Sequence, residues 1–316
     1  MTEEAGLPEG VSPEDLKSFT EHLKGSRRIL ALVGAGLSAS SGLPTFRGAG
    51  GLWRSYYSAA LATPEAFEEN PGLVWQFYSY RRHMALGVEP NKAHYALAAL
   101  ARENVNFLTV SQNVDGLCER AQHLGRSLHL VHGSLFEVKC HESECDYWRA
   151  DDFHDPIVPA LEIPTLGLNL PASRDNEVDI SDVANPVPDL TLAELPQCPQ
   201  CDGLLRPGVV WFGEPLDEQT LESISRWIKK APVDLMLVIG TSSNIYPAAG
   251  YTEEARKAGA RVAVINMDPD DRAVQNLQEG DWFFQGDAAV IIPEILKSVI
   301  GEVEEDPLQM PISNQA

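Results

Sequence analysis

An α/β architecture, in which helices cover both faces of a doubly wound parallel sheet and a small cysteine-bearing module is inserted, is predicted by three observations. Short apolar runs recur at Ile29–Val33, Asn106–Val110, Leu235–Ile239 and Arg261–Ile265, each of the length and composition of a strand buried on both faces. Helical segments, Arg226–Ala231 and Ala248–Ala258 among them, lie between the runs, the alternation that builds a parallel sheet. Small and polar clusters follow the runs at Gly34–Ser38, Ser111–Asp115, Gly240–Asn244 and Asn266–Asp268, at the carboxyl ends of strands where such sheets bind ligands.

The 316 residues suffice for one large core and a small module. Met1–Gly10 is acidic and has neither the apolar core of a signal peptide nor the Arg-rich character of a mitochondrial presequence; it reads as a disordered leader and predicts a cytosolic protein with nuclear access. Ser12 as N-cap, Pro13 at the first helical position and Asp15 then open a helix. The expected division is a leader and first helix over 1–25, a discontinuous Rossmann-like domain over 26–135 and 205–300, a metal-binding module over 136–204, and a disordered tail over 301–316. Within the module, residues 146–197 carry 11 acidic side chains, two arginines and seven prolines, and Pro171–Pro188 reads as a mobile acidic loop. A net charge of −22 argues against a sequence-independent grip on nucleic acid and suits either solubility or basic protein substrates. No apolar run is long enough to span a bilayer.

Cys140, Cys145, Cys198 and Cys201 form two pairs. Four thiolates in two knuckles suit a tetrahedral, closed and therefore structural Zn²⁺ site. Two separate buried or redox-active pairs, and His141 as an alternative ligand, stay open on the sequence alone. Cys118 reads as small apolar filler on a helix.

After the first run comes Gly34-Ala-Gly-Leu-Ser-Ala-Ser-Ser-Gly-Leu-Pro-Thr-Phe-Arg-Gly48. Gly34 and Gly36 let a backbone approach a phosphate closely, although the third glycine of the dinucleotide fingerprint is displaced. The whole segment resembles the cofactor loop of the sirtuins, the NAD-dependent protein-lysine deacylases. The resemblance runs from about Ile29 to Ala289 and implies NAD as cofactor, with Gly34, Ala35, Gly36, Ser38, Phe46 and Arg47 binding it and Phe46 shielding the reacting ribose face. It implies that Asn113 and Asp115 hold the nicotinamide carboxamide and that Gln112 contacts ribose hydroxyls. Gly240, Thr241, Ser242 and Ser243, then Asn266 and Asp268, then Asp287 and Ala288, complete the cofactor contacts; the family more often has Glu at the position of Asp268.

His132, in Leu130-Val-His-Gly-Ser134 shortly before Cys140, matches the family's catalytic histidine, and a neutral imidazole suits a general base. His94, His129 and His22 have no comparable context. Val210, Trp211, Phe212, Gly213 and Glu214 correspond to the segment that adds the substrate peptide as a strand and walls the acyl-lysine tunnel. The implied reaction transfers the acyl group to ribose and releases nicotinamide, free lysine and O-acyl-ADP-ribose, with zinc taking no chemical part.

Tyr78 and Arg81, three apart on a predicted helix, share a face. This Tyr-x-x-Arg resembles the branch of the family that removes succinyl, malonyl and glutaryl groups: the guanidinium would bind the distal carboxylate, the hydroxyl would assist, and Ala62 would leave room. Expected partners are acyl-lysine proteins, with histones and metabolic enzymes as candidate classes, and neither nucleic acid nor membrane; a monomer is expected. The rival readings are a general deacetylase or mono-ADP-ribosyltransferase on the same scaffold, and a non-catalytic NAD-sensing zinc scaffold. The resemblance to that branch implies mitochondria as the alternative compartment, against the leader.

Overall fold

The computed structural model describes residues 7–45, 51–165 and 176–303. Its strands are β1 (Ile29–Val33), β2 (Leu52–Trp53), β3 (Tyr56–Tyr57), β4 (Phe107–Ser111), β5 (Leu128–Leu130), β6 (Gly133–Cys140), β7 (Trp148–Arg149), β8 (Leu205–Val209), β9 (Leu235–Ile239), β10 (Arg261–Asn266) and β11 (Trp282–Gln285). Its α-helices are α1 (Pro13–Gly25), α2 (Ser58–Leu61), α3 (Pro64–Glu69), α4 (Pro71–Leu86), α5 (Lys92–Glu103), α6 (Leu117–Arg120), α7 (Glu218–Lys230), α8 (Gly250–Lys257), α9 (Arg272–Gln275) and α10 (Ala288–Ile300).

Six strands form one parallel sheet in the order β11-β10-β9-β1-β4-β5. Numbered by chain order, this is the doubly wound 3-2-1-4-5-6 arrangement, whose direction reverses between β1 and β9. Both central strands are buried along their whole length, and alternate side chains serve opposite layers. Ile29, Ala31 and Val33 pack with Phe19 of α1, Leu97 of α5 and Ile292 of α10; Leu30 and Leu32 pack with Ile228 of α7 and Ala255 of α8. The strand expectations hold within a residue, while β5 and β11 escaped the reading because each is short and only partly buried.

Ser12 caps α1, accepting the Asp15 N–H at 3.0 Å. The helix is not set apart with a leader: Phe19 stands edge-on to Trp282 and Phe284, with ring centroids 5.3 and 5.4 Å away, so α1 belongs to the large core.

The second body exceeds the expected 136–204. An antiparallel sheet β7-β6-β8 packs on α3 and α4, and one apolar cluster joins Trp53, Ala62, Phe67, Trp75 and Tyr78 to Val138, Cys198 and Leu205. The Trp75 indole N–H donates to the Leu205 carbonyl at 2.9 Å. Arg82, fully buried, donates to the carbonyls of Leu135, Asp152 and His154, tying α4 to this sheet and the loop beyond it.

The acidic insert is a correction. Its residues 176–188 are fixed against α4 and the β2–β3 hairpin: Ile180 is buried, the Val178 N–H donates to the Pro164 carbonyl at 2.7 Å, and Thr165 bridges Glu177. Its acidic, Pro-rich composition hid a segment held both by polar contacts and by Ile180, Val178 and Val187, which join the apolar cluster of the small body. The remainder of Pro171–Pro188, and the tail from residue 304, lie outside the described residues.

Candidate active site

The turns after β1 and β9 meet backbone to backbone at the sheet's reversal. The Gly34 N–H donates to the Ile239 carbonyl and the Gly36 N–H to the Gly240 carbonyl, each at 2.9 Å. A Cβ on Gly36 would lie 2.6 Å from the Gly240 Cα, and one on Gly240, whose φ is +56°, would lie 2.6 Å from the backbone of Gly36. These glycines therefore serve the contact between two turns as well as any ligand. Ala35 opens the short 3₁₀ turn after β1. Phe46 and Arg47 lie outside the described residues.

A buried polar network lies behind this crevice. The Asn113 amide donates to the Gly34 carbonyl at 3.0 Å and to Ser38 Oγ at 3.3 Å. Ser38 Oγ donates to Asp115 Oδ2 at 2.7 Å, and Asp115 Oδ1 accepts the Leu117 N–H at 3.0 Å. The sequence reading assigned nothing to His94, yet it completes the chain. Its Nδ1 accepts the Asn91 N–H at 3.2 Å, so its Nε2 carries the proton that faces Ser38 Oγ at 3.3 Å. Burial brings His94 down to about 4 and keeps it a neutral donor. Asn91 caps α5 with His94 three residues on, a capping box; that spacing was the available signal.

His132 sits at the start of β6. Its Nδ1–H donates to the Gln112 carbonyl at 3.0 Å, so the neutral ring keeps its lone pair on Nε2. Burial holds its pKa below the ordinary histidine range. Gly133 follows because φ is +73° there and a Cβ would lie 2.2 Å from the Gly208 carbonyl oxygen. The Gln112 amide donates to Thr241 Oγ1 at 2.8 Å, linking this histidine to the turn after β9.

Around that turn, Thr241 Oγ1 also accepts the Ser243 N–H at 3.2 Å. The Asn266 amide donates to the Thr241 carbonyl at 3.2 Å and to Asp271 Oδ2 at 2.5 Å. Ser242 is half-buried. Ser243 Oγ is buried and finds no hydrogen-bond partner among the described residues, as expected of a hydroxyl whose partner is a ligand. Asp268 is exposed, and its Oδ1 accepts the Asp270 N–H at 2.9 Å. Asp287 is the N-cap of α10, accepting the Ala289 N–H at 2.8 Å and the Ser40 hydroxyl. It therefore braces the loop after β1, and Ala288 begins the helix behind it.

On the other side of His132, β8 ends at Val209 and the next residues turn. The Val210 N–H donates to the His132 carbonyl at 2.9 Å and the Phe212 N–H to the Ala62 carbonyl at 2.9 Å; the Trp211 N–H donates to Glu214 Oε2 at 2.8 Å. The segment thus has three of its N–H donors engaged within the protein and turns at Phe212 and Gly213, the latter at φ +92°. Glu214 is likewise no simple wall: Arg206 Nη1 and Nη2 donate to its two oxygens at 2.5 and 2.8 Å, and the guanidinium lies 3.4 Å from the Trp211 ring centroid. Adjacency to the cysteines and prolines masked Arg206 in the sequence.

Tyr78 and Arg81 do share a face of α4, the guanidinium carbon lying 5.8 Å from the Tyr78 ring centroid. Trp211 Nε1–H donates to the Tyr78 hydroxyl at 3.1 Å, leaving that O–H free to donate elsewhere. Burial pushes Tyr78 up to about 12, so it stays protonated. Burial also lowers the pKa of Arg81, as expected of a half-buried, partly desolvated guanidinium. Ala62, Tyr78 and Trp211 belong to one apolar cluster.

The four cysteine sulfurs lie within 4.8 Å of one another, with Cys140 to Cys201 at 3.5 Å and Cys145 to Cys198 at 3.7 Å. Tetrahedral zinc with Zn–S of about 2.3 Å needs sulfurs about 3.8 Å apart, so the donor set fits one structural zinc. His141 packs on Phe67, ring centroids 4.9 Å apart, and is no part of the sulfur cluster. Cys118 is buried in the large core, as expected of filler.

A doubly wound sheet with a glycine crossover at its reversal, a neutral buried histidine and a closed four-thiolate module define a dinucleotide-dependent enzyme with a structural metal. Residues 34–247 match the Sir2 family. An NAD-dependent protein deacylase of Candida albicans is 45% identical over 304 residues, covering 92% of this chain and 99% of its own. The mitochondrial NAD-dependent protein deacylase sirtuin-5 of Danio rerio is 39% identical over 289 residues, covering 90% and 87%. The crystal structure of a Sir2 homolog–NAD complex superposes with a TM-score of 0.70 at 33% identity, covering 93% of this chain and 95% of that one. The chain belongs to the Sir2 family and is an NAD-dependent protein deacylase of the sirtuin type.

Proposed function

We propose that this enzyme removes acidic acyl groups, namely succinyl, malonyl and glutaryl, from protein lysines. The observation that carries the reading is the pairing of Tyr78 and Arg81 on one face of α4, one a protonated hydroxyl and the other a half-buried guanidinium, beside Ala62 and Trp211. A guanidinium that has lost water gains most from a carboxylate that replaces it.

NAD, when bound, supplies an activated ribose carbon with nicotinamide as leaving group. Gly34, Ala35, Gly36, Gly240, Thr241, Ser242 and Ser243 would hold its phosphates and ribose, and the unpartnered Ser243 hydroxyl supports this. Ser38, Asn113 and Asp115 present a pre-ordered acceptor and donor set to an amide. Gln112 does two things: its carbonyl fixes the His132 tautomer and its amide reaches Thr241. His132 Nε2 is the base that takes a proton from a ribose hydroxyl. Asn266, Asp268, Asp287 and Ala288 would border the remainder, and Phe46 and Arg47 keep the roles that the resemblance implies.

A second reading, general lysine deacetylation, shares every residue except Tyr78 and Arg81. Turnover of matched acetyl-, malonyl-, succinyl- and glutaryl-lysine peptides, with and without NAD, separates the two. The proposal expects NAD-dependent turnover with an acidic chain preferred; equal or higher turnover of the acetyl peptide would favour the second reading. For the compartment, cytosol with nuclear access is the first reading, while the relatives from Danio rerio and Xenopus laevis named mitochondrial support the mitochondrial alternative. Fractionation that finds only a processed matrix form would overturn the first.

A further inference from the structure

The acidic insert and the β2–β3 hairpin meet through one arginine. Arg54, in the hairpin turn at φ +55°, donates through Nη1 to the carbonyls of Ile180, Asp182 and Asn185 at 2.9, 3.1 and 2.9 Å, and through Nη2 to that of Val183 at 3.4 Å. Its own N–H donates to the Ser181 carbonyl at 2.8 Å. A guanidinium thus fills a ring of backbone carbonyls from Ile180 to Asn185.

The same segment grips α4. The Gln76 amide donates to the Pro188 carbonyl at 2.6 Å, and the Tyr80 hydroxyl lies 3.5 Å from Ser181 Oγ. His83 stands between Asp155 and Glu177 carboxylates at 2.7 and 2.8 Å. Gln76, Tyr80 and His83 follow the spacing of one helix stripe, and Tyr78 with Arg81 lies on the opposite one. The hairpin runs through β3 directly into α2 and Ala62, whose carbonyl holds the turn at Phe212.

We infer that residues 176–188 are a strap that fixes the Ala62 wall of the acyl site against α4, and that Arg54 is the positioning residue joining strap to wall. The strap touches the back of the helix and the foot of the wall, so it sets the width between Ala62 and the Tyr78–Arg81 face without touching the acyl chain. This rests on the reading of Ala62, Tyr78 and Arg81 as the acyl site.

The test compares steady-state constants of the zinc-loaded enzyme and its Arg54→Met, Arg54→Lys and Glu177→Gln variants on acetyl- and succinyl-lysine peptides. A pocket misplaced by about 1 Å raises the peptide KM roughly tenfold in Arg54→Met, while the KM for NAD stays within about twofold. Arg54→Lys, which can still fill part of the carbonyl ring, restores part of the loss; Glu177→Gln shifts the peptide KM in the same direction by less. Equal changes in both KM values, or an unchanged peptide KM in a folded Arg54→Met, would overturn the inference. Should Arg54→Met not fold, an unchanged peptide KM in Glu177→Gln overturns it instead. Failure of the acidic-acyl reading is seen separately, as an unaltered succinyl-to-acetyl ratio in Arg81→Met, because the strap is read from the peptide KM on whichever acyl chain turns over best.

Discussion

His132 shows how one backbone bond prepares a side chain for chemistry. The Gln112 carbonyl can only accept, so it fixes the proton on Nδ1 and frees Nε2. Burial favours the neutral ring and lowers the pKa, so the base stays competent on acidification past the point where an exposed histidine protonates. The acid limb of kcat/KM should therefore have its midpoint below about 6.5; a midpoint above that value would mean that another group limits the reaction. His132→Ala should lose about 10²–10⁴-fold in turnover while keeping its zinc and its cooperative melt, and near-normal turnover would refute the assignment. Residues of this kind were singled out where type and position coincide: Asn113 and Asp115 follow a strand-like run, and His132 stands in a His-Gly pair shortly before Cys140. Arg82, Arg206, His94 and Arg54 were not. Their partners are carbonyls, carboxylates and a serine brought together by folding, and no local spacing except the Asn91–His94 cap announces them.

At the scale of elements, the crossover of the two glycine turns and the thiolate module carry the architecture. Gly240→Ala places a methyl 2.6 Å from the Gly36 backbone at a left-handed φ. Neither chain can yield cheaply, so stability should fall by about 1–3 kcal/mol or more, read as a lower urea midpoint; an unchanged midpoint would show that the turns are not rigidly apposed. Cys198→Ser should lose metal and melt earlier, because a structural zinc contributes folding free energy directly. Native protein without zinc by elemental analysis would remove the premise. The four inner strands of the large sheet, β10, β9, β1 and β4, were readable because burial on both faces leaves continuous apolar runs. The small body was misjudged in extent, since α3, α4 and β8 join the cysteines through packing, the β6–β8 pairing and the Trp75–Leu205 bond, all contacts between segments far apart in the chain. The insert was misread for a related reason: composition reports how much apolar area a segment offers, and this one needs little of it, Ile180, Val178 and Val187 packing inward while Arg54, Gln76, Tyr80 and His83 bond to the rest.

At the scale of the molecule, two cores divide the labour. The sheet presents the candidate cofactor crevice at its reversal, and the smaller body presents α4, Ala62 and the turn at Trp211 from the other side, with His132 in the turn that enters β6 between them. The central claim is that this second body selects an acyl chain bearing a carboxylate, and the direct measurement is the ratio of kcat/KM for succinyl- and acetyl-lysine peptides in wild type and Arg81→Met. Losing a charge-assisted bond in a desolvated pocket costs roughly 1.5–3 kcal/mol, or about ten- to a hundredfold. The succinyl reaction should fall by that factor, the acetyl reaction should hold or improve, and Tyr78→Phe should show the same bias more weakly. Equal losses on both peptides would contradict the claim and leave a general deacetylase whose Tyr78 and Arg81 only pack the helix.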